Sequence, residues 1–449
     1  MATTYLSKTQ VTGTSTRKMT ISAWVKRSGL VGYAKGAIWS MGSDSSNFIE
    51  LQFNDADRLE LKAKNGGSYV LRKATNALFR DTSAWYHIVV GIDSDQVSGP
   101  DRNKIYINGV QYTTDWDTDT DATINTDFKM NSSSEDARCG RDFMSGASDY
   151  FDGEMAHVHY IDGTQYAASD FGETDTTSGI WVAKTSPSVT YGNNGGFYKF
   201  ASGASGADSS GNGNTMAVSG TLTNLKDNPD NNFCTLNPLD NYYASITYTN
   251  GNTTATSSTP YGYSRATIGL ATGKWYWEVK ATTISAPDYI TGIASTMSTS
   301  ATVWPGQNAG SYGYNATDGK IYNSASGSAY GNTYSAGNII GVYLDLDNSK
   351  LYFAINGTLQ NSGTGHSITA VGSTDEGIYA PTAGVWTGTT GTVADFNFGN
   401  GYFGTTAVSS AVADAGGIGA FEYDPSAGTF DGSSKDFRAI CTNNISTYG

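Results

Sequence analysis

The sequence predicts an all-β protein: two antiparallel β-sandwiches in tandem, followed by a short C-terminal tail. Three observations predict it. Gly, Ser, Thr and Asn recur every eight to twelve residues between short β-branched or aromatic runs, the spacing of sandwich strands and turns. Long stretches of Leu, Glu, Lys and Ala at helical period are missing. The chain has 449 residues, too many for one ordinary core, so at least two domains are expected.

Composition supports folding and narrows function. Only 15% of residues are charged, but 12% are aromatic, with 29 Tyr and 9 Trp to supply buried area. The formal net charge of −14 speaks against nucleic acid, which needs a basic footprint. Cys139, Cys234 and Cys441 are odd in number and far apart in sequence. They form no disulfide framework or zinc spacing and read as ordinary thiols made in a reducing cytosol. No signal peptide is expected at the N-terminus, and no apolar run is long enough to span a membrane.

The first sandwich is expected over residues 1–225. Thr20–Val25 alternates in period two, with Ile21, Ala23 and Val25 on one face. Phe48–Phe53, Arg58–Lys62 and Trp85–Val90 follow as strands. Lys104–Gly109 runs into an Asn108-Gly109 turn, which favours a type I′ hairpin. Gly153–Ile161 reads as a core strand with His157 and His159 on its outward side.

These residues resemble a family. MTISAWVK (19–26), WYHIVVGID (85–93), KIYINGV (104–110) and FDGEMAHVHYIDG (151–163) look like successive strands of concanavalin A-like, laminin-G-like lectin domains. The resemblance covers about the first 165 residues and implies a jelly roll of two packed sheets. GFYKF (196–200) and DSSGNGN (208–214) are similar to the C-terminal part of such domains in viral structural proteins, and 180–225 is expected to add a closing strand.

That fold also hosts glucanases, whose branch places its carboxylates on one strand as Glu-x-Asp-x-x-Glu. This chain has no such string. Glu50, Glu60 and Glu154 lie singly, and only Glu60 with Glu154 could meet in space. The run Asp115-Trp-Asp117-Thr-Asp119-Thr-Asp121 puts four carboxylates at alternate positions, a set that could ligate calcium. It lacks the glycine and the closing glutamate of an EF-hand loop, and the alternative is a solvated acidic strand. His87, His157 and His159 make no metal or triad spacing with nearby carboxylates.

Residues 226–235 read as a polar connector, and 236–403 as the second sandwich. Trp275, Trp277 and Val279 share one face. Asn356-Gly357 gives a second type I′ signal. GKWYWEVK (273–280), GVYLDLDNSKLYFAINGT (341–358) and the later YAPTAGVW with DFNFG resemble a SPRY domain in order and spacing. The resemblance implies a binding module without chemistry of its own, whose partner is held by loops at one end. Candidate contacts are Trp304, Tyr312, Tyr314, Tyr330, Tyr334 and Trp386, aromatics in Gly/Ser/Thr/Asn surroundings. The alternative places them in the core at the sheet edge.

Residues 404–449 leave that pattern as a C-terminal tail. The tail carries Phe421, Tyr423, Phe437 and Ile440, so it is expected to dock, either back onto a sandwich or onto a neighbour. NNFCTLNPLDN (231–241) and DFRAICTNN (436–444) resemble segments of tail-fibre and other appendage proteins of bacterial viruses. That resemblance implies a virion surface protein, a tail fibre or head decoration. It would be made in the host cytoplasm, contact other virion proteins and bind a host-surface glycan or protein without catalysis. The alternatives are a purely structural virion component and a polysaccharide depolymerase. No heptad or β-helix repeat enforces an oligomer, so oligomeric state stays open.

Overall fold

The computed structural model describes residues 4–30, 36–143, 149–240, 246–257, 260–285, 289–296, 302–385 and 391–449. Strand makes up 45% of the chain and helix 5%, as the spacing of turns predicts. By contact the chain divides into two units: 1–224 with 228–230, and 225–227 with 231–449.

The first unit is a sandwich of two antiparallel sheets. One runs in the order Trp116–Thr120, Ser68–Leu78, Arg58–Asn65, Asn47–Phe53, Gly36–Asp44, Asp136–Cys139, Tyr5–Thr9, Ala217–Ser219. The other runs Gly196–Tyr198, Gly153–Asp162, Lys18–Arg27, Trp85–Asp93, Asn103–Ile107, Val110–Tyr112. The closing segment therefore adds an edge strand to each sheet. Ile21, Ala23 and Val25 enter the core together with Trp39, Leu51, Leu61 and Val90.

The second unit repeats the plan. Its larger sheet centres on Thr392–Asn397, Lys274–Thr283, Ile339–Asp345 and Lys350–Ile355. Its smaller sheet runs Tyr263–Arg265, Ala380–Val385, Tyr289–Ala294, Ser311–Asn315, Lys320–Asn323, Ser326–Ala329. Trp275, Trp277 and Val279 fill the core between them.

Both Asn-Gly hairpins form. Asn108 and Gly109 have φ of 48° and 84°, and Asn356 and Gly357 have 46° and 77°. This is the left-handed pair that a type I′ turn demands. Each asparagine also accepts a backbone N–H from the start of a preceding strand in its sheet: His87 at 2.8 Å and Ile339 at 2.9 Å.

A third layer covers the outer face of one sheet in each unit. In the first, an arm over 163–195, including the hairpin Gly172–Thr174 with Trp181–Ala183, packs on Lys18–Arg27, Trp85–Asp93 and Gly153–Asp162. It buries Trp24, Val89 and Ile161, and so Thr20 and Ser22 on that face are buried too. In the second unit, 404–449 docks back onto its own sandwich. Phe421, Phe430 and Phe437 pack on Tyr276, Tyr343 and Tyr352. Phe233 and Cys234 are already core residues, and the Cys234 N–H donates to the Ile440 carbonyl at 3.0 Å. The three cysteines are buried, and burial pushes the Cys139 thiol up to about 12.

Candidate functional site

The aromatic residues proposed as loop contacts sit differently in the structure. Tyr312 and Tyr314 lie on Ser311–Asn315 with their rings in the core, beside Tyr330 and Tyr334. The Tyr314 ring stacks on Phe353 at 4.9 Å and meets Tyr330 edge-on at 5.7 Å. Their hydroxyls staple loops from inside. Tyr334 donates to the Tyr314 carbonyl at 2.9 Å, and the Tyr330 oxygen accepts the Phe353 N–H at 3.2 Å. Tyr312 accepts the Thr369 N–H at 2.9 Å. Trp304 is only 3% exposed and meets Tyr322 edge-on at 5.3 Å. The physical reason is composition. In a chain this rich in Gly, Ser and Thr, the aromatics are the bulk available to fill a core, and tyrosine also bonds the loops. Trp386 lies outside the described residues. Trp304→Ala is therefore expected to act through stability, costing about 3–5 kcal/mol, with a lower melting temperature of the second unit as the readout.

Near these tyrosines is an open groove of about 560 Å3, lined by Ala329–Asn332 and Thr358–Ser362. Gln360 builds its wall: its Oε1 accepts the Asn332 N–H at 3.0 Å and its Nε2 donates to the Thr358 carbonyl at 2.8 Å. Gly331 lets the two loops close up, since a Cβ there would meet the Tyr314 hydroxyl at 2.7 Å and Gln360 Cβ at 2.8 Å. Asn361 and Ser362 both hold positive φ, 51° and 53°, a costly conformation for residues other than glycine. No lining residue is charged, so the groove offers hydroxyl and amide groups to a neutral ligand surface. The sequence signal for it is the Gly/Ser/Asn density around 326–332 and 358–363.

The acidic run does not fit calcium. Trp116–Thr120 is an edge strand, and the Lys73 ammonium, itself 4% exposed, pairs with Asp119 and, at 2.8 Å, with Asp121. Asp117 lies 3.4 Å from Arg58, and Asp115 accepts from Asn76 at 2.8 Å. Lys73 thus occupies two of the four carboxylates, and among the described residues no cluster of three or more metal-ligating side chains forms. Millimolar calcium or a chelator is expected to leave the melting temperature of the first unit unchanged. A rise of several degrees with calcium would refute this.

The carboxylates are arranged otherwise than the sequence suggests. Glu60 faces Gln52 across strands of the larger sheet, whereas Glu154 faces Lys26 in the other sheet, so they do not meet. Glu50 and Glu60 are diagonal neighbours on adjacent strands, a pair that sequence reasoning missed. Burial pushes the Glu50 carboxyl up to about 7, with Lys62 at 3.7 Å opposing. Glu60 accepts from Arg72 at 2.8 Å and Gln52 at 2.6 Å. Both glutamates are buried, at 2% and 3% exposure.

Sequence reasoning also missed a serine–histidine contact under the arm. Ser22 Oγ lies 2.9 Å from His87 Nε2. The indole N–H of Trp181 donates to His87 Nδ1 at 2.9 Å. An indole N–H can only donate, so Nδ1 is the acceptor and Nε2 carries the proton. His87 thus donates to Ser22 and is not a base that could activate it.

Comparison with known proteins fits this geometry. Residues 2–169 match the concanavalin A-like lectin/glucanases superfamily, and residues 274–400 match the SPRY domain. Ran-binding protein 9 of Xenopus tropicalis is 32% identical over 139 residues, which is 30% of this chain and 23% of that protein. Ran-binding protein 10 of Danio rerio is 33% identical over 135 residues, 29% of this chain and 20% of that protein. The chain thus spans about a quarter or less of the length of these curated relatives. Among solved structures, the SPRY domain of human HERC1 is 16% identical with a TM-score of 0.29, covering 34% of this chain and 91% of that one. Stonustoxin is 18% identical with a TM-score of 0.27, covering 36% of this chain and 27% of that one. In sequence order, the chain carries a concanavalin A-like domain followed by a SPRY domain.

Proposed function

We propose that this chain is a binding protein without chemistry of its own, and that the groove of its SPRY domain seats a protein partner on the surface of a virion. The observation that carries the reading is the groove itself. It is open, uncharged and built on loops held by buried tyrosines. Such a site offers pre-formed hydrogen bonding at low ordering cost. Relatives named for binding another protein add support for a protein ligand. The absence of catalysis is supported by the donor role of His87 and by the burial of Glu50 and Glu60. The virion setting is supported by the two segments that resemble appendage proteins. They pair with each other, the Thr442 N–H donating to the Asn232 carbonyl at 2.9 Å, so they belong to one structural element.

The test fills the groove from its exposed rim with Thr358→Trp and Ser362→Trp. Labelled wild-type protein is expected to adsorb to cells of the virus's host, and each variant to adsorb about tenfold more weakly, a loss of about 1.4 kcal/mol. Equal adsorption by variants with unchanged melting temperatures would reject the groove.

A further inference from the structure

The arm over 163–195 is fastened to the first sandwich at two imidazoles. His87, on Trp85–Asp93, accepts the Trp181 N–H at 2.9 Å through Nδ1 and donates to Ser22 at 2.9 Å through Nε2. His159, on Gly153–Asp162, meets the Tyr191 hydroxyl at 2.9 Å through Nδ1. Both rings are almost fully buried. His87 is stacked between Trp24 at 4.7 Å and Trp181 at 6.0 Å, and His159 lies on Phe197 at 3.9 Å. Trp181 is wedged between Gly109 and Gly172, where a Cβ would meet its ring at 2.6 Å on either side. Tryptophan 181 is therefore a latch, and His87 is its keeper.

We propose that this arm is an acid-released flap, held shut while His87 and His159 are neutral and opened when they take up protons. The chemistry is one-sided. Protonation puts a second N–H on Nδ1 of His87, facing the indole N–H of Trp181, so the bond becomes a clash of two donors. Among the described residues, no acid acts on either ring to compensate the new charge. The charge that acts on His87 is that of His157, and His159 feels His157, His87 and Lys199, all cations or cations in waiting. Asp230 acts on His157. Glu173 on the arm is exposed, and other charges on the packed elements have partners of their own. Asp162 accepts the N–H groups of Thr14, Ser15 and Asn194. Asp170 accepts the Ala167 N–H, Asp175 those of Thr177 and Ser178, and Lys184 donates to Ser169. Lys26 and Glu154 face each other across strands, and Lys104 pairs with Asp101. Burial pushes His87 down to about 3 and His159 well below its ordinary value while the arm is shut. An open arm returns them to about 6.5, so each pH unit below that favours opening by about tenfold per imidazole.

Hydrogen exchange read by mass spectrometry tests this on the full chain, with rates corrected for the intrinsic effect of pH. Protection of 166–191 is expected to fall at least tenfold per pH unit between about pH 6.5 and 5 and, at each pH, to stay well below that of Gly36–Asp44 and Asn47–Phe53, which open only with the whole unit. His87→Gln keeps an acceptor for Trp181 and a donor for Ser22 but does not titrate, so it should flatten the profile. Trp181→Phe removes the indole donor. It should lower protection at neutral pH and weaken the pH response even if the glutamine variant fails to fold. Equal protection of arm and sandwich at every pH would overturn the flap in favour of whole-domain acid unfolding. A flat profile in the wild type, or one unchanged in both variants, would overturn the histidine latch.

Discussion

Truncation after Gly404 is expected to leave the first unit folded and the second unit unfolded or aggregated. The deleted segment carries Phe421 and Phe437, both fully buried, and Phe430, nearly so. They cover Tyr276, Tyr343 and Tyr352 on the outer face of the larger sheet. A buried phenylalanine is worth about 1.5–3 kcal/mol, so losing three approaches the whole stability of an ordinary domain. Backbone bonds go as well. The Tyr276 N–H donates to the Arg438 carbonyl at 2.8 Å and Cys234 donates to Ile440 at 3.0 Å. The Tyr352 hydroxyl loses the Asp431 carbonyl at 3.0 Å. Calorimetry of residues 1–404 should show one transition, that of the first unit. A second transition at the full-length temperature would show that 405–449 is dispensable for folding and free to serve as an anchor.

The strands were legible because most of them alternate, and the hairpins because Asn-Gly needs two left-handed residues. The third layers were not. The arm holds its apolar groups, Tyr166, Phe171, Trp181, Val189 and Tyr191, at irregular spacing among Gly, Ser, Thr and Asp, so no period marks it. Its only trace was on the strand it covers. Lys18–Arg27 carries Thr20, Ser22 and Trp24 on its outward face where a solvated sandwich would carry charges. Lys274–Thr283 gave the same hint, with Tyr276 opposite Trp275 and Trp277. The tyrosines of the second unit were placed on loops because their neighbours are turn formers. Yet Ser311–Asn315 is an interior strand whose Gly313 lets the Pro305 loop cross it, a Cβ there meeting the Pro305 carbonyl at 2.7 Å. Long-range covering of this kind leaves no local signature.

Glu278→Ala is expected to destabilise the second unit by about 3–5 kcal/mol and to remove a pH dependence that the wild type shows. Glu278 points out of the sheet and is 0% exposed beneath the C-terminal segment. Its Oε1 accepts the Tyr423 N–H at 2.8 Å and the Tyr276 hydroxyl at 3.0 Å. Its Oε2 accepts the Glu422 N–H at 2.9 Å and the Asn397 amide at 3.1 Å. Alanine leaves all four donors buried without this acceptor. Burial is the largest influence on the carboxyl and pushes it up to about 7, against the pull of those donors. The folded value is raised above the unfolded one, so the contribution is fully present below about 4.5 and lost as pH rises through 7. The first unit runs the other way. Its two buried histidines, His87 and His159, and the half-buried His157 are lowered, so their contribution is present above about 6.5 and lost on acidification. Glu50 opposes them, and Asp152, raised by burial, acts in the same sense as Glu50. Three imidazoles outweigh Glu50, leaving a loss of roughly 1–3 kcal/mol per pH unit between pH 6.5 and 5. The first calorimetric transition should therefore move downward between pH 8 and 5. In the second unit His366 is lowered by burial and opposes Glu278, so the readout is the gap between wild type and Glu278→Ala, whose second transition should sit lower by an amount that widens on acidification. A gap that stays constant from pH 8 to 5 would mean that Glu278 stays ionised through this range, held by its four donors.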